Sequence, residues 1–345
     1  MSSIKEVARV AGVSVGTVSN VLNRPDMVAP ETRDRVLAAI AQLGYVRNGS
    51  ARQLRAGRSR TIAVVALDLA NPFFIDVLSG VEAAAQRDKL TVMVFNSSKD
   101  ADREARLLEM LEEQRPLGVL ITPVNDRGQR ERLDRLVSRG IPVVLFDNSS
   151  RLSHGCAVAV DDVLGGRLAG LHLRERGHRR IAFAGGPFTV RQVEDRRDGL
   201  AGVLTADETL TVIPLPDLNV ATGRTAGQKI AEMPPATRPT AVFCGNDLVA
   251  LGVLQELTQR GLRVPDDVAI LGYDDIDFAA AAAVPLSSIR QPREQLGHTA
   301  TVMMLEEANQ GSRHQHRHVI FQPELVERTS TAAMRTEPKA AEAAT

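Results

Sequence analysis

The sequence predicts an α/β protein with an N-terminal helix-turn-helix head followed by two doubly wound parallel-sheet lobes. Three observations carry this expectation. Residues 12 to 22, Gly-Val-Ser-Val-Gly-Thr-Val-Ser-Asn-Val-Leu, have the turn and second helix of a helix-turn-helix. Beyond residue 60, apolar strand-like runs alternate with amphipathic stretches, the pattern of strands paired in parallel. The portion after the head, about 270 residues, exceeds a typical single domain, so two lobes are expected rather than one long sheet.

In the head, Ser3 and Glu6 have capping-box spacing, and Ile4, Val7, Ala8 and Ala11 recur on one helical face. Gly12 permits a tight turn, and Ser14 is placed to cap the next helix. Val18, Val21 and Leu22 give that helix a buried side, leaving Val15, Gly16, Thr17, Ser19 and Asn20 outward. A third helix runs from Pro30 through Val36, Ile40 and Leu43 to Gly44. In the body, strands are expected at 61–67, 91–95, 118–122, 142–147, 181–185, 241–245 and 268–272.

Charge separates the head from the body. Residues 1 to 60 hold ten Lys or Arg against four Asp or Glu, a net of +6, while the whole chain sums to zero. Arg47, Arg52, Arg55, Arg58 and Arg60 follow one another with no acidic residue between them. A helical domain with merely solvated faces would interleave its signs, whereas a basic head on an acidic body has the electrostatic footprint of a phosphate-binding module. Double-stranded DNA is the expected partner.

The hydrophobic content of 43% allows sizeable cores. The longest apolar runs, near 61–67 and 279–286, fall far short of a membrane span. The first residues lack the apolar segment of a secretory signal, and Cys156 and Cys244 are too few for a disulfide framework, so the expected compartment is the cytoplasm.

The chain resembles the lactose repressor family of bacterial transcription regulators. The resemblance is carried by Val13-Ser14, Thr17-Val18-Ser19, Val21-Leu22-Asn23, Leu43-Gly44-Tyr45-Val46-Arg47-Asn48, Ala51-Arg52-Gln53-Leu54 and Asn71-Pro72-Phe73-Phe74. It continues through Asp147, Val160-Asp161-Asp162, Gly165-Gly166-Arg167, Gly177-His178-Arg179-Arg180-Ile181, Asn246-Asp247, Gly272-Tyr273-Asp274-Asp275 and Gln291-Pro292, covering nearly all of residues 3 to 330. It implies a body like the type I periplasmic sugar-binding proteins, with the chain crossing between lobes near residues 161, 290 and 320. The expected domains are then 1–46 (helix-turn-helix), 47–59 (hinge helix and linker), 60–330 (effector-binding body) and 331–345 (disordered tail). Lobe 1 takes about 60–160 and 291–320, and lobe 2 about 161–290 and 321–330. The tail lacks the leucine heptads of a tetramerisation helix.

On this reading Ser14, Thr17 and Ser19 contact phosphates, while Val15, Gly16 and Asn20 face base edges in the major groove. Val15 suits a thymine methyl and Asn20 an adenine. The resemblance places Asn48, Ala51 and Leu54 on a hinge helix that pairs across a homodimer and enters the minor groove, with Leu54 as the wedge. A palindromic operator is expected. Arg47 stands where the family usually has proline, and Gly49 and Ser50 are poor helix formers.

Ligands of such bodies sit at the carboxyl ends of the strands. Asp147, Asn246 and Asp274 follow apolar strand runs, and Arg196 opens Arg-Arg-Asp-Gly after the strand ending at Gly185. Carboxylate, amide and guanidinium groups bind adjacent hydroxyls, and Phe73 and Phe74 offer an apolar wall for a sugar ring. By position, Asn71, Phe73, Phe74, Asp147, Arg196, Asn246 and Asp274 match the family's effector contacts. Asp161, Asp162 and Asp247 are expected only to cap helices. Arg196 and Asp274 are expected to stand in water in the empty cleft. Leu218 occupies a segment where many relatives carry a large aromatic, and the chain has no tryptophan, which favours a small sugar or sugar derivative over a purine.

No cofactor or catalytic group is expected. Gly12-Val13-Ser14-Val15-Gly16 fits the letters of a nucleophile elbow but follows a helix rather than a strand. His314, His316 and His318 alternate with Arg313 and Arg317, with no carboxylate or cysteine nearby in sequence, so a solvated loop is expected rather than a metal site. The alternative of a sugar-binding receptor without a regulatory role shares the body but has no use for the head. An enzyme would need an acid/base pair or nucleophile in the cleft.

Overall fold

Local caps fix the head before any packing is considered. Ser3 accepts from the Glu6 N–H at 3.3 Å to start α1 (Ile4–Ala11), and Gly12 ends it at φ 63°, the left-handed region. Ser14 accepts from the Thr17 N–H at 3.1 Å at the start of α2 (Val15–Asn23). Pro30 opens α3 (Pro30–Leu43), and Gly44 closes it. Val7, Ala11, Val18, Val21 and Val36 are buried together as one small core.

The computed structural model describes residues 3–45, 59–124, 126–146 and 155–332. The chain divides into two compact units at Ser59 and Arg60. In the second unit the strands are β1 (Thr61–Ala66), β2 (Thr91–Asn96), β3 (Gly118–Ile121), β4 (Val143–Leu145), β5 (Cys156–Val160) and β6 (Arg180–Gly185). They continue with β7 (Thr209–Pro214), β8 (Ala241–Cys244), β9 (Ala269–Asp274), β10 (Ser287–Arg290), β11 (His318–Phe321) and β12 (Glu324–Val326). The helices are α4 (Pro72–Arg87), α5 (Ala101–Gln114), α6 (Asp126–Ser138), α7 (Asp162–Glu175) and α8 (Arg191–Ala201). After these come α9 (Val220–Glu232), α10 (Asp247–Gln259), the single turn α11 (Asp277–Ala280) and α12 (Arg293–Gln310).

Two six-stranded sheets result, ordered β11-β5-β4-β3-β1-β2 and β12-β10-β9-β8-β6-β7. Every pairing is parallel except β12 against β10. Each sheet has a buried core on both faces, as double winding requires. In lobe 1, α4 and α12 cover one face and α5 and α6 the other. In lobe 2, α9 and α10 cover one face and α7 and α8 the other. The chain passes between the sheets after β5, after β10 and between β11 and β12, close to the three expected crossings.

All seven expected strands form; β5, β7 and β10–β12 were not among them. The tail boundary also moves. Thr331 is buried, with its hydroxyl 2.6 Å from Ser287 Oγ and 2.8 Å from His172 Nε2, so the packed body runs past 330. Residues 333–345, the rest of the expected tail, lie outside the described residues, as do residues 46–58 of the expected hinge.

Three helix pairs close onto each other through reciprocal glycines. A Cβ on Gly166 of α7 would meet the Arg196 carbonyl oxygen at 2.1 Å, and one on Gly199 of α8 would meet the Val163 carbonyl oxygen at 2.1 Å. Gly80 and Gly297 do the same for α4 and α12, and Gly223 and Gly252 for α9 and α10. Backbone touches backbone, and this sets the first turn of α7 against the second half of α8.

Gly199→Ala is therefore expected to destabilise the body by about 1–3 kcal/mol, because the obstructing atom is a carbonyl that cannot swing aside. Thermal unfolding reads this as a fall of roughly 2–4 °C per kcal/mol; an unchanged midpoint would contradict the close packing.

Candidate functional site

Between the lobes lies a cavity that encloses about 810 Å³ of empty space with the solvent at its mouth counted in. Its walls come from the carboxyl ends of strands: Thr122 after β3, Phe146 after β4, Val160 of β5, Asn246 after β8, Asp274 of β9 and Gln291 after β10. Every described residue of the expected effector set lines it, namely Asn71, Phe73, Phe74, Arg196, Asn246 and Asp274. Asp147 lies outside the described residues.

Arg196 is the most constrained of these. Its Nε donates to Asp162 Oδ1 and its Nη1 to the Gly245 carbonyl, both at 2.8 Å. The guanidinium lies over the Tyr273 ring at 3.6 Å from the centroid. Burial opposes its charge, but Asp162, Tyr273 and Asp274 outweigh that and raise its pKa further. Among the described residues these bonds use two of its five donors, and the others can meet a ligand.

Asp274 accepts from Gln291 Nε2 at 2.7 Å and from Asn71 Nδ2 at 3.0 Å. Burial raises its carboxyl above the usual range, against the opposing pull of Arg196 and the two amides. Its backbone has φ 104° and that of Asp275 φ 55°, a pair of non-glycine residues in a costly region. Asp275 is braced by its N–H to Ser288 Oγ at 3.0 Å and by ion pairs to Arg290 and Arg328 at 2.7 and 2.6 Å. Strain held this firmly at a cavity wall fits a functional site better than a loop.

Asn71 works with both ends of its amide. Its oxygen accepts from the Phe73 N–H at 3.1 Å and caps α4, while its nitrogen reaches across the cleft to Asp274. Asn246 is similar: its oxygen caps α10 by accepting from the Val249 N–H at 3.0 Å. Phe73 and Phe74 meet edge to face, with centroids 5.2 Å apart, and form an apolar wall with Phe146.

Three expectations need correction. Asp161 does cap α7, accepting from the Leu164 N–H at 2.9 Å, but Asp162 lines the cavity and pairs with Arg196. Asp247 does not cap α10; it is fully buried and holds Ser288 Oγ at 2.7 Å and the Ile276 N–H at 2.9 Å, with burial driving its pKa well up. Arg196 and Asp274 do not stand in water, being 7% and 3% exposed. Sequence spacing could not reveal that burial, because the covering residues come from the other helix or the other lobe.

A second contact across the cleft was not anticipated at all. Lys99 of lobe 1 reaches Asp68 at 2.6 Å and Asp217 of lobe 2 at 2.5 Å. Burial opposes its charge, but the two carboxylates raise its pKa on balance. The groups are partly exposed, so the pair contributes modestly, about 0.2–1 kcal/mol.

In the head, Ser14, Val15, Gly16 and Asn20 are exposed on α2, with Thr17 and Ser19 half-buried beside them. Ser14 and Thr17 share a hydrogen bond at 3.0 Å, and Asn23 Nδ2 donates to Ser19 Oγ at 3.2 Å. Asn48, Ala51 and Leu54 lie outside the described residues. No described helix is long and apolar enough to cross a membrane.

A helix-turn-helix unit and a two-lobed binding unit in one chain define a transcription regulator that responds to a small molecule. Comparison with known proteins agrees. Residues 3–48 match the bacterial regulatory proteins of the lacI family, and residues 171–331 match a periplasmic binding protein-like domain. The HTH-type transcriptional repressor PurR of Vibrio cholerae serotype O1 (strain M66-2) is 35% identical over 334 residues, 95% of this chain and 97% of its own length. PurR of Vibrio atlanticus is 34% identical over 97% of this chain and all of its own. Among solved structures, the lac repressor dimer bound to operator and the anti-inducer ONPF has a TM-score of 0.79 at 27% identity, covering 96% of this chain and 99% of that one. The regulator CelR in complex with cellobiose has a TM-score of 0.69 at 30% identity, covering 96% and 100%. The chain belongs to the lacI family: it is a DNA-binding transcription regulator with an effector-binding body, and not an enzyme.

Removing the Arg196 side chain leaves Asp162 charged and buried without its partner. Arg196→Ala is expected to cost about 3–5 kcal/mol of stability, and Arg196→Lys, which keeps the charge but loses the planar fork and the stacking on Tyr273, to fall between Ala and wild type. Chemical denaturation distinguishes them; equal stability of Ala and wild type would contradict the pairing.

Proposed function

We propose that this protein is a homodimeric cytoplasmic repressor whose hold on a palindromic operator is released by a sugar or sugar derivative bound between the lobes. The observation that carries the reading is the cleft itself. Anchored guanidinium and carboxylate groups, Arg196 and Asp274, face an aromatic wall, the pairing of polar edge and apolar face that a sugar ring presents. Leu218 lines the same cavity where a stacking aromatic would favour a flat base. Solved relatives hold cellobiose and, at 25% identity over 80% of this chain with a TM-score of 0.72, ribose.

On the DNA side, Val15, Gly16 and Asn20 enter the major groove, with Ser14, Thr17 and Ser19 toward phosphates. Gly16 supports this. A Cβ there would meet only Ser14 Oγ, at an ordinary 3.5 Å, so the head's own packing does not require glycine. Close approach of the duplex to the helix backbone does. By family resemblance, Asn48, Ala51 and Leu54 contribute minor-groove contacts from the hinge of each protomer.

Operator sites selected from a random DNA library are expected to be inverted repeats. Against such a site, Asn20→Ala is expected to lose about 1–3 kcal/mol, roughly 5- to 150-fold in affinity, while weak salt-dependent binding to random DNA persists. Gly16→Ala is expected to stabilise the head by about 0.5–1 kcal/mol yet weaken operator binding. A thermal-shift screen of sugars and nucleosides identifies the effector class; hits confined to nucleosides would overturn the sugar assignment. The identified sugar is expected to lower operator affinity in a fluorescence-anisotropy titration, and Arg196→Lys and Asp274→Asn to blunt that release. Enhanced operator binding would instead make it a corepressor.

A further inference from the structure

The run Arg313-His314-Gln315-His316-Arg317-His318 has no cysteine or carboxylate among its neighbours in sequence, but the fold supplies both. The last turn of α12 carries Glu307, and the chain then turns through Gly311–Arg313 before entering β11. β11 pairs in parallel with β5, His318 opposite Ala157, so the residues preceding β11 run beside Cys156 at the start of β5. His318 lies in the ladder and takes no part. Two histidines, one cysteine and one glutamate converge instead.

The separations are those of a coordination shell. Cys156 Sγ lies 3.2 Å from His314 Nε2 and 3.9 Å from His316 Nδ1, and His316 Nδ1 lies 3.7 Å from Glu307 Oε2. All four ligand atoms fall within 4.8 Å of one another. Tetrahedral zinc with bonds of about 2.0–2.3 Å places its ligand atoms roughly 3.3–3.8 Å apart. Glu307, 9% exposed, also turns an oxygen inward: Oε2 is buried with no hydrogen-bond partner among the described residues. A buried carboxylate oxygen left without a donor is costly unless something else satisfies it. One flanking cation is already neutralised, since Arg317 pairs with Glu306.

We propose that Cys156, Glu307, His314 and His316 form a binding site for a divalent transition-metal cation, with zinc best matched to the thiolate, imidazole and carboxylate ligands. The site lies at the amino ends of β5 and β11, the opposite edge of the sheet from the effector cleft. It ties the α12–β11 connection to the sheet. A bound ion therefore adds to the stability of lobe 1 without entering the cleft.

Cobalt is a spectroscopic stand-in for zinc. Titrated into the tag-free, reduced, full-length protein, it is expected to saturate at one equivalent with a sulfur-to-metal charge-transfer band and the intense visible absorption of tetrahedral coordination. Zinc is expected to displace it and raise the melting temperature; magnesium and calcium, which favour oxygen ligands, are expected to do neither. Cys156→Ser is expected to abolish the charge-transfer band, with Cys244→Ser, in the other lobe, as the unaffected control. Because Cys156 is buried, the exposed His316 provides a variant that keeps the fold: His316→Gln is expected to weaken binding at least tenfold. Absence of saturable binding, a charge-transfer band that survives in Cys156→Ser, or wild-type affinity in His316→Gln would each overturn the site.

Discussion

The ion pair between Arg196 and Asp162 is the constraint on which the effector side of this protein depends. Two charges removed from water are favourable only when each is met by a partner with good geometry. Here the geometry begins with packing. Gly166 and Gly199 let α7 and α8 approach until carbonyls touch, which brings the first residue of α7 within reach of a side chain one turn into α8. Tyr273 lies under the guanidinium and the Gly245 carbonyl takes a further N–H, so the side chain has one position. A ligand meets a donor already oriented, and little ordering entropy remains to be lost on binding.

The opposite wall is held less tightly, and that difference suits a sensor. Among the described residues, the polar contacts that cross the cleft include Asn71 with Asp274 and Lys99 with Asp217. The Lys99 pair is worth about 1 kcal/mol or less in its partly exposed setting, and the Asn71 hydrogen bond to the buried Asp274 about 1.5–3 kcal/mol. A ligand that competes for Asp274 and Asn71 can therefore alter the balance between lobe arrangements with ordinary binding energy. A cleft clamped by buried ion pairs on both sides would resist it. Three chain crossings give the lobes a common hinge, the usual repertoire of two-lobed binding proteins.

What the sequence makes legible follows from how local each signal is. The head could be read almost residue by residue, because Ser3, Gly12, Ser14, Pro30 and Gly44 act on the backbone within four positions of themselves. The long apolar strands were also plain, whereas β11 and β12 are short edge strands with mixed exposure, and β5 hides an apolar run among alanines and a cysteine. Asp274 and Asn246 could be found because a strand end points them at the cleft. Asp162, Lys99 and Gln291 could not, since each matters through a partner 17 to 118 residues away. The same limit made the histidine run look solvated: Cys156 lies 158 residues before His314 and beside it in space.

On the proposed function, effector and operator act on one equilibrium, and thermodynamic linkage exposes that coupling directly. Calorimetric titration of the effector into the free protein and into the operator-bound protein gives two dissociation constants. Their ratio must equal the factor by which saturating effector changes operator affinity, because coupling between two sites is reciprocal. An effector that releases the operator is expected to bind the operator-bound protein about 5- to 150-fold more weakly, with the same factor recovered from operator titrations. Identical effector affinities with and without operator would contradict it.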